Sequence, residues 1–225
     1  MGTPKVAQMT LSFAGALDRD VVVHATTLVA GLVARPEVSD AWTVESSCQG
    51  MSVGGLARHL VSQPVNVVRL LTTDVPEGVE TIDVLEHYAR AAWTTEDLDG
   101  DTNSSIRATS DEQAAEGPEA AQVLVSDARA TLATVLTGAP PTVYIPWQGW
   151  ALDTDDFLVT RLMEMIVHAD DLAASVTVPV PEFGPGVLDP VFRLLTALSV
   201  RRHGQDALVR ALTRPQRAPG TVAAF

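Results

Sequence analysis

Apolar positions recur along this chain at helical rather than strand spacing. Proline, glycine and capping residues mark the intervals between the runs. The first run, "DRDVVVHATTLVAGLVAR", predicts a helix over residues ~5–34. "RPEVSDAWTVESSCQGM" (35–51) reads as a polar loop, with Pro36 stopping the helix before it. Ser52 is an N-cap for a second helix over ~53–72. "VETIDVLEHYARAAWTTEDL" predicts a third over ~79–98, broken by "DGDTNSS", and residues 107–117 fit helix or loop. "EAAQVLVSDARATLATVLTG" predicts a fourth, closed by Gly138 and the pair Pro140–Pro141. "TVYIPWQGWALD" (142–153) is β-rich but short and reads as an extended crossing segment. Thr154 then caps a fifth helix over ~155–176, with Asp155 and Asp156 at the positive end of its dipole. "VTVPVPEFGPG" (176–186) is a linker, followed by shorter helices over ~188–202 and ~204–213. No internal repeat is present. The expected fold is all-α: a four-helix bundle over residues 1–178, with a short helical C-terminal region, 185–225, packed on it.

Composition narrows the partners more than the fold. Hydrophobic residues make up 46% of the 225, enough for a sizeable core, filled by alanine, valine and leucine because aromatics are only 5%. The balance of 28 acidic to 15 basic residues, a formal charge of −13, repels phosphate backbones and argues against nucleic acid as a partner. Cys48 is the single cysteine, so no intramolecular disulfide forms, which fits a reducing cytosol. No apolar run is long enough for a signal peptide or a membrane helix. The expectation is a soluble cytoplasmic protein that engages no membrane.

The fifth helix carries the candidate chemistry. On a helical wheel Thr160, Arg161, Glu164, His168, Asp171 and Ser175 fall in one narrow arc, while the remaining circumference is almost wholly apolar. One reading is an ordinary solvent face. Against it, the arc contains no lysine, and Glu164 and His168 at i and i+4 project together, a spacing suited to holding one ion.

A third ligand must come from another helix. Of the other histidines, His59 sits on the shoulder of the polar arc of the second helix, just before Pro64, where a kink is expected. His24 lies in an apolar helix, His87 on a polar–apolar boundary, and His203 beside Arg201 and Arg202, a basic setting that disfavours a cation.

"GMSVGGLARHL" followed by "TRLMEMIVHADDLA" resembles the DinB-like metalloproteins, and within them the mycothiol-dependent maleylpyruvate isomerase group of actinobacteria. The resemblance spans residues 10–177. It implies that His59, Glu164 and His168 bind a divalent metal, zinc foremost, with an open position for water or a low-molecular-weight thiol. It also implies an enzyme that activates mycothiol or a related thiol for transfer to, or isomerisation of, a small electrophile. A non-catalytic metal- or ligand-binding stress or sensor protein of the same fold is the alternative.

Supporting roles follow by position. Asp171, one turn beyond His168, is placed to accept a hydrogen bond from its free ring nitrogen, or else is a solvated helix end. Arg161 and Trp150 are candidates for substrate binding, Arg161 otherwise pairing with neighbours of Asp171, and Trp147, Gln148 and Trp150 either wall the pocket or pack between the crossing segment and the bundle. Arg201 and Arg202 are further candidates for a substrate carboxylate. Oligomeric state stays open, with a homodimer among the options.

Overall fold

The computed structural model describes residues 10–94, 96, 97 and 99–225. Among them the chain is mostly helical: α1 (Asp20–Val33), α2 (Pro36–Asp40), α3 (Val53–Leu71), α4 (Val84–Arg90), α5 (Asp101–Ala114), α6 (Pro118–Thr137), α7 (Thr154–Ser175), α8 (Pro185–His203) and α9 (Gln205–Thr213). A two-stranded antiparallel hairpin, β1 (Thr142–Ile145) and β2 (Trp150–Asp153), joins α6 to α7. The all-α expectation holds.

Four long helices form the bundle: α3 packs on α6 and α7, and α1 packs on the same two. Each buries a stripe at helical spacing. On α6 the stripe is Ala121, Val125, Ala128, Leu132 and Leu136. α7 is buried on most sides, through Phe157, Leu158, Val159, Leu162, Met163, Met165, Ala169, Leu172 and Ala173, as its wheel predicts. α8 adds Val187, Val191, Leu194, Ala197 and Leu198 to the same core, whereas α9 packs on α8 and buries none of its residues.

Several boundaries differ from the periodicity, each for a tertiary reason. The first helix begins at Asp20, not near residue 5; residues 5–9 lie outside the described residues. Residues 10–19 are not helical because α7 takes up their backbone. Phe13 N–H donates to Asp156 Oδ1 at 2.5 Å, and Gly15 N–H, at φ +69°, donates to Asp155 Oδ2 at 2.8 Å. Arg19 adds an ion pair to Asp155 at 2.7 Å. The predicted third helix shrinks to α4 and a 3-10 turn, Ala92–Thr94; residues 95 and 98 lie outside the described residues. The chain before α4 is drawn onto the hairpin instead: Ala151 N–H donates to Glu80 O at 2.8 Å and Ile82 N–H to Ala151 O at 3.0 Å. Asp83 then caps α4 through the N–H groups of Leu85 and Glu86.

"DGDTNSS" opens α5 rather than only breaking a helix, because the Glu96 carboxylate accepts from the N–H and hydroxyl of Thr102 at 2.9 and 2.8 Å. Pro36 is the first residue of α2, a position where its missing N–H costs nothing. α7 is capped by Asp153, which accepts from Asp155 N–H at 2.9 Å, not by Thr154, whose hydroxyl donates to Pro140 O.

α3 carries His59 into the bundle, capped by Ser52 as predicted. It enters close against α2 and the loop after it. A Cβ on Gly54 would come within 2.6 Å of the Trp42 ring, and that ring is pinned because Trp42 Nε1–H donates to Ala114 O at 2.9 Å. Gly54→Ala is therefore expected to cost about 1–3 kcal/mol of stability, read as a lowered urea midpoint at unchanged slope.

Candidate metal centre

α3 and α7 cross with His59, Glu164 and His168 facing one another. One ligand atom from each lies within 4.8 Å of the other two. Glu164 Oε2 is 3.1 Å from His168 Nε2 and 3.7 Å from His59 Nε2. The two rings stand edge to face, with centroids 4.7 Å apart. Side-chain exposures of 20% for His59, 14% for Glu164 and 21% for His168 place the trio just inside the surface, so the arc on α7 is not an open solvent face.

Neighbouring side chains hold the two histidines. Asp171 Oδ2 is 3.0 Å from His168 Nδ1. Gln63, one turn after His59 on α3, donates from Nε2 to His59 O at 3.0 Å and lies 3.4 Å from His59 Nε2. Its Oε1 accepts from Arg161 Nη1 at 2.7 Å, and Arg161 Nε donates to Thr160 Oγ1 at 3.1 Å. Among the described residues Arg161 has no carboxylate within ion-pair distance.

Electrostatics follow from that packing. Burial works against the charge on Glu164, but hydrogen bonds from His168 and His59, with the charges of His168 and Arg161, hold its carboxyl well below the usual range. Burial likewise opposes a charge on His168, and is outweighed by Asp171, Cys48 and Glu164, which hold its imidazolium well above the usual range. Both ring nitrogens of His168 face carboxylates, so without an ion both carry protons. Burial pushes His59 down, toward its neutral form.

This donor set fits a divalent ion. Two imidazoles and one carboxylate at ~2.0–2.2 Å from a tetrahedral zinc stand ~3.3–3.6 Å apart, close to the spacings seen here. Asp171 holds the proton on His168 Nδ1, which leaves the Nε2 lone pair for the ion in place of the second proton.

The remaining sequence candidates are scattered. Trp150 Nε1–H donates to His87 Nδ1 at 3.1 Å and so belongs to the wall between β2 and α4. Trp147 is exposed, with the Arg69 guanidinium 5.4 Å over its ring, and Gln148 is half-buried in the hairpin turn. Arg201 donates to Leu85 O at 2.6 Å and lies 3.9 Å from Glu86, while Arg202 is exposed. His203 Nε2–H donates to Ala223 O at 2.8 Å. His24 is exposed, although its helix is largely apolar. His87 is buried at 3% rather than on a boundary, because pairing of residues 80–82 with β2 turns α4 inward.

Gln63 and Cys48 escaped the sequence reading. Gln63 had a signal, since it follows His59 at the same i, i+4 spacing that links Glu164 to His168. Cys48 had none, because its approach to His168 depends on a loop. Tyr88 was also missed: it is buried, its hydroxyl has no hydrogen-bond partner among the described residues, and burial pushes it up, keeping it protonated.

A helical bundle with two histidines and a glutamate converging between two helices is the class of protein defined so far. The chain belongs to the mycothiol maleylpyruvate isomerase N-terminal domain family, whose family model matches residues 14–173. The match covers α1 through nearly all of α7 and leaves α8 and α9 outside. Neither curated proteins nor solved structures gave a match.

His87 supplies a pH prediction. Burial, with a further contribution from Arg161, lowers its pKa from 6.5 to about 4. Between those values the unfolded chain binds a proton that the folded chain does not, so stability falls as pH drops through that window. The full shift is worth about 3 kcal/mol. Urea unfolding at pH 7 and pH 4.5 should show most of this loss, and His87→Gln should remove that component of it.

Proposed function

We propose that His59, Glu164 and His168 hold a divalent ion, zinc foremost, and that the protein uses it to activate a low-molecular-weight thiol, mycothiol or a relative, against a small electrophile. The observation that carries this reading is the Glu164 carboxylate set between two imidazoles from different helices, with a further carboxylate, Asp171, on the far nitrogen of His168. Three protein donors leave a coordination position open, the arrangement of a catalytic rather than a structural site. The ion, when bound, favours the thiolate over the thiol at neutral pH.

The chain's own residues supply the rest. Asp171 orients His168, and Gln63 braces His59 and Arg161 together. Arg161 offers a half-buried guanidinium with no carboxylate partner among the described residues, suited to an anionic group on the electrophile. A cleft of about 600 Å³ opens beside Asp171, floored by Ile166, Val167, Phe183 and Leu188 and edged by Asp170 and Glu182. It borders the triad's surroundings through Asp171 alone, and its carboxylates would accept from hydroxyl groups of a bulky thiol reaching out of the centre.

Protein purified without chelator should contain about one divalent ion per chain by elemental analysis, and His168→Ala should lose it. Absence of metal from the wild type removes the basis of the proposal. Calorimetric titration of the loaded protein with mycothiol, followed by a panel of electrophiles, then separates catalysis from binding. Thiol bound without turnover supports the non-catalytic metal- or ligand-binding role. Asp171→Asn should weaken metal binding about 10–100-fold in competition with a chelator, while leaving the fold intact.

A further inference from the structure

A second set of donors shares His168 with the triad. Cys48, His168 and Asp171 each offer a ligand atom, all within 4.8 Å of one another. His168 Nε2 faces Glu164 at 3.1 Å, whereas Nδ1 faces Asp171 at 3.0 Å, so the two ring nitrogens look toward different donor groups.

The position of Cys48 is built by the chain on both sides of it. Residues 45–52 double back: Ser46 N–H donates to Met51 O at 2.9 Å and Met51 N–H to Cys48 O at 3.1 Å. Gly50 closes the turn at φ +80°, a conformation that favours glycine. Cys48 N–H donates to Ser46 Oγ at 3.2 Å. The turn is then stitched to the end of α7: Ser47 N–H donates to Ser175 Oγ at 2.8 Å, and Ser47 Oγ–H to Asp171 O at 2.8 Å. These bonds hold the sulfur beside the Asp171–His168 edge. Cys48 is half-buried and Asp171 keeps 29% of its side-chain exposure, so an ion can arrive from solvent.

We propose that Cys48, Asp171 and the Nδ1 edge of His168 form a second, sulfur-containing station for a thiophilic divalent ion such as zinc or cadmium, exclusive of the triad. A thiolate donor biases a site toward such ions. Binding releases the thiol proton and the Nδ1 proton of the His168 imidazolium to solvent and forms sulfur–metal and nitrogen–metal bonds, with no oxidant or reductant required. Exclusion follows from the imidazole itself, which when neutral has one lone pair and one N–H. An ion in the triad uses Nε2 and leaves Nδ1–H to Asp171. An ion at Cys48 uses Nδ1 and leaves Nε2–H to Glu164. Only the exclusion rests on the proposed triad; the station itself stands on its own three donors.

Cobalt(II) titration of the full chain tests this, because a sulfur-to-cobalt charge-transfer band reports a thiolate ligand. The variants are Cys48→Ser, His59→Ala, the more conservative His59→Gln, and the double variants with Cys48→Ser, each checked for a wild-type circular dichroism spectrum. Both His59 variants are expected to show the sulfur band, and the double variants to lose it. Absence of the band from both His59 variants overturns the sulfur station. If Cys48→Ser binds no cobalt while His59→Gln still shows the band, the sulfur station stands and the triad reading fails.

Discussion

The Glu164 carboxylate is the constraint around which this molecule is arranged. It projects from a helix whose other sides are packed with apolar side chains, and it keeps only 14% of its exposure. A carboxylate taken out of water is costly unless charges or donors surround it. Here they come from two directions. His168 arrives along the same helix, and His59 arrives from α3. Arg161 adds positive charge from one turn below, held by Gln63 rather than by a competing acid. The same crowding of donors that makes the carboxylate tolerable is what the proposed metal ion would use in place of protons.

α7 organises the chain at both of its ends. At its N-terminus Asp155 and Asp156 gather the amides of Phe13 and Gly15 and the guanidinium of Arg19, tying down a segment that would otherwise extend α1. At its C-terminus Ser175 and the Asp171 carbonyl gather the turn that carries Cys48. In each case a polar helix end supplies hydrogen bonds that the docking loop cannot make within itself. The long apolar middle of α7 stays free to build the core.

Membership of the family extends over α1 to α7, the part that holds all three triad residues. α8 lies beyond the match, yet its buried residues join the same core, and Arg201 reaches back to the Leu85 carbonyl on α4. That contact braces α4, whose His87 is in turn tied to Trp150. The packing around α4 is thus assembled from segments well separated in the sequence.

What was legible in the sequence was whatever depends on neighbours one turn away. The i, i+4 pair Glu164–His168, the buried circumference of α7, the Ser52 cap and the helical class all follow from local spacing and capping chemistry. The resemblance of two motifs added His59, and α3 brings it to the pair across the bundle. Only the tertiary structure decided the start of α1, the shortening of the third helix, the inward turn of His87, and the approach of Cys48 to His168. In each of these a backbone or side-chain group finds its partner far along the chain, across a helix end or a strand edge, and no periodicity encodes such a meeting. Local repulsions and spacings select the elements; the satisfaction of distant polar groups selects where those elements stop and what they face.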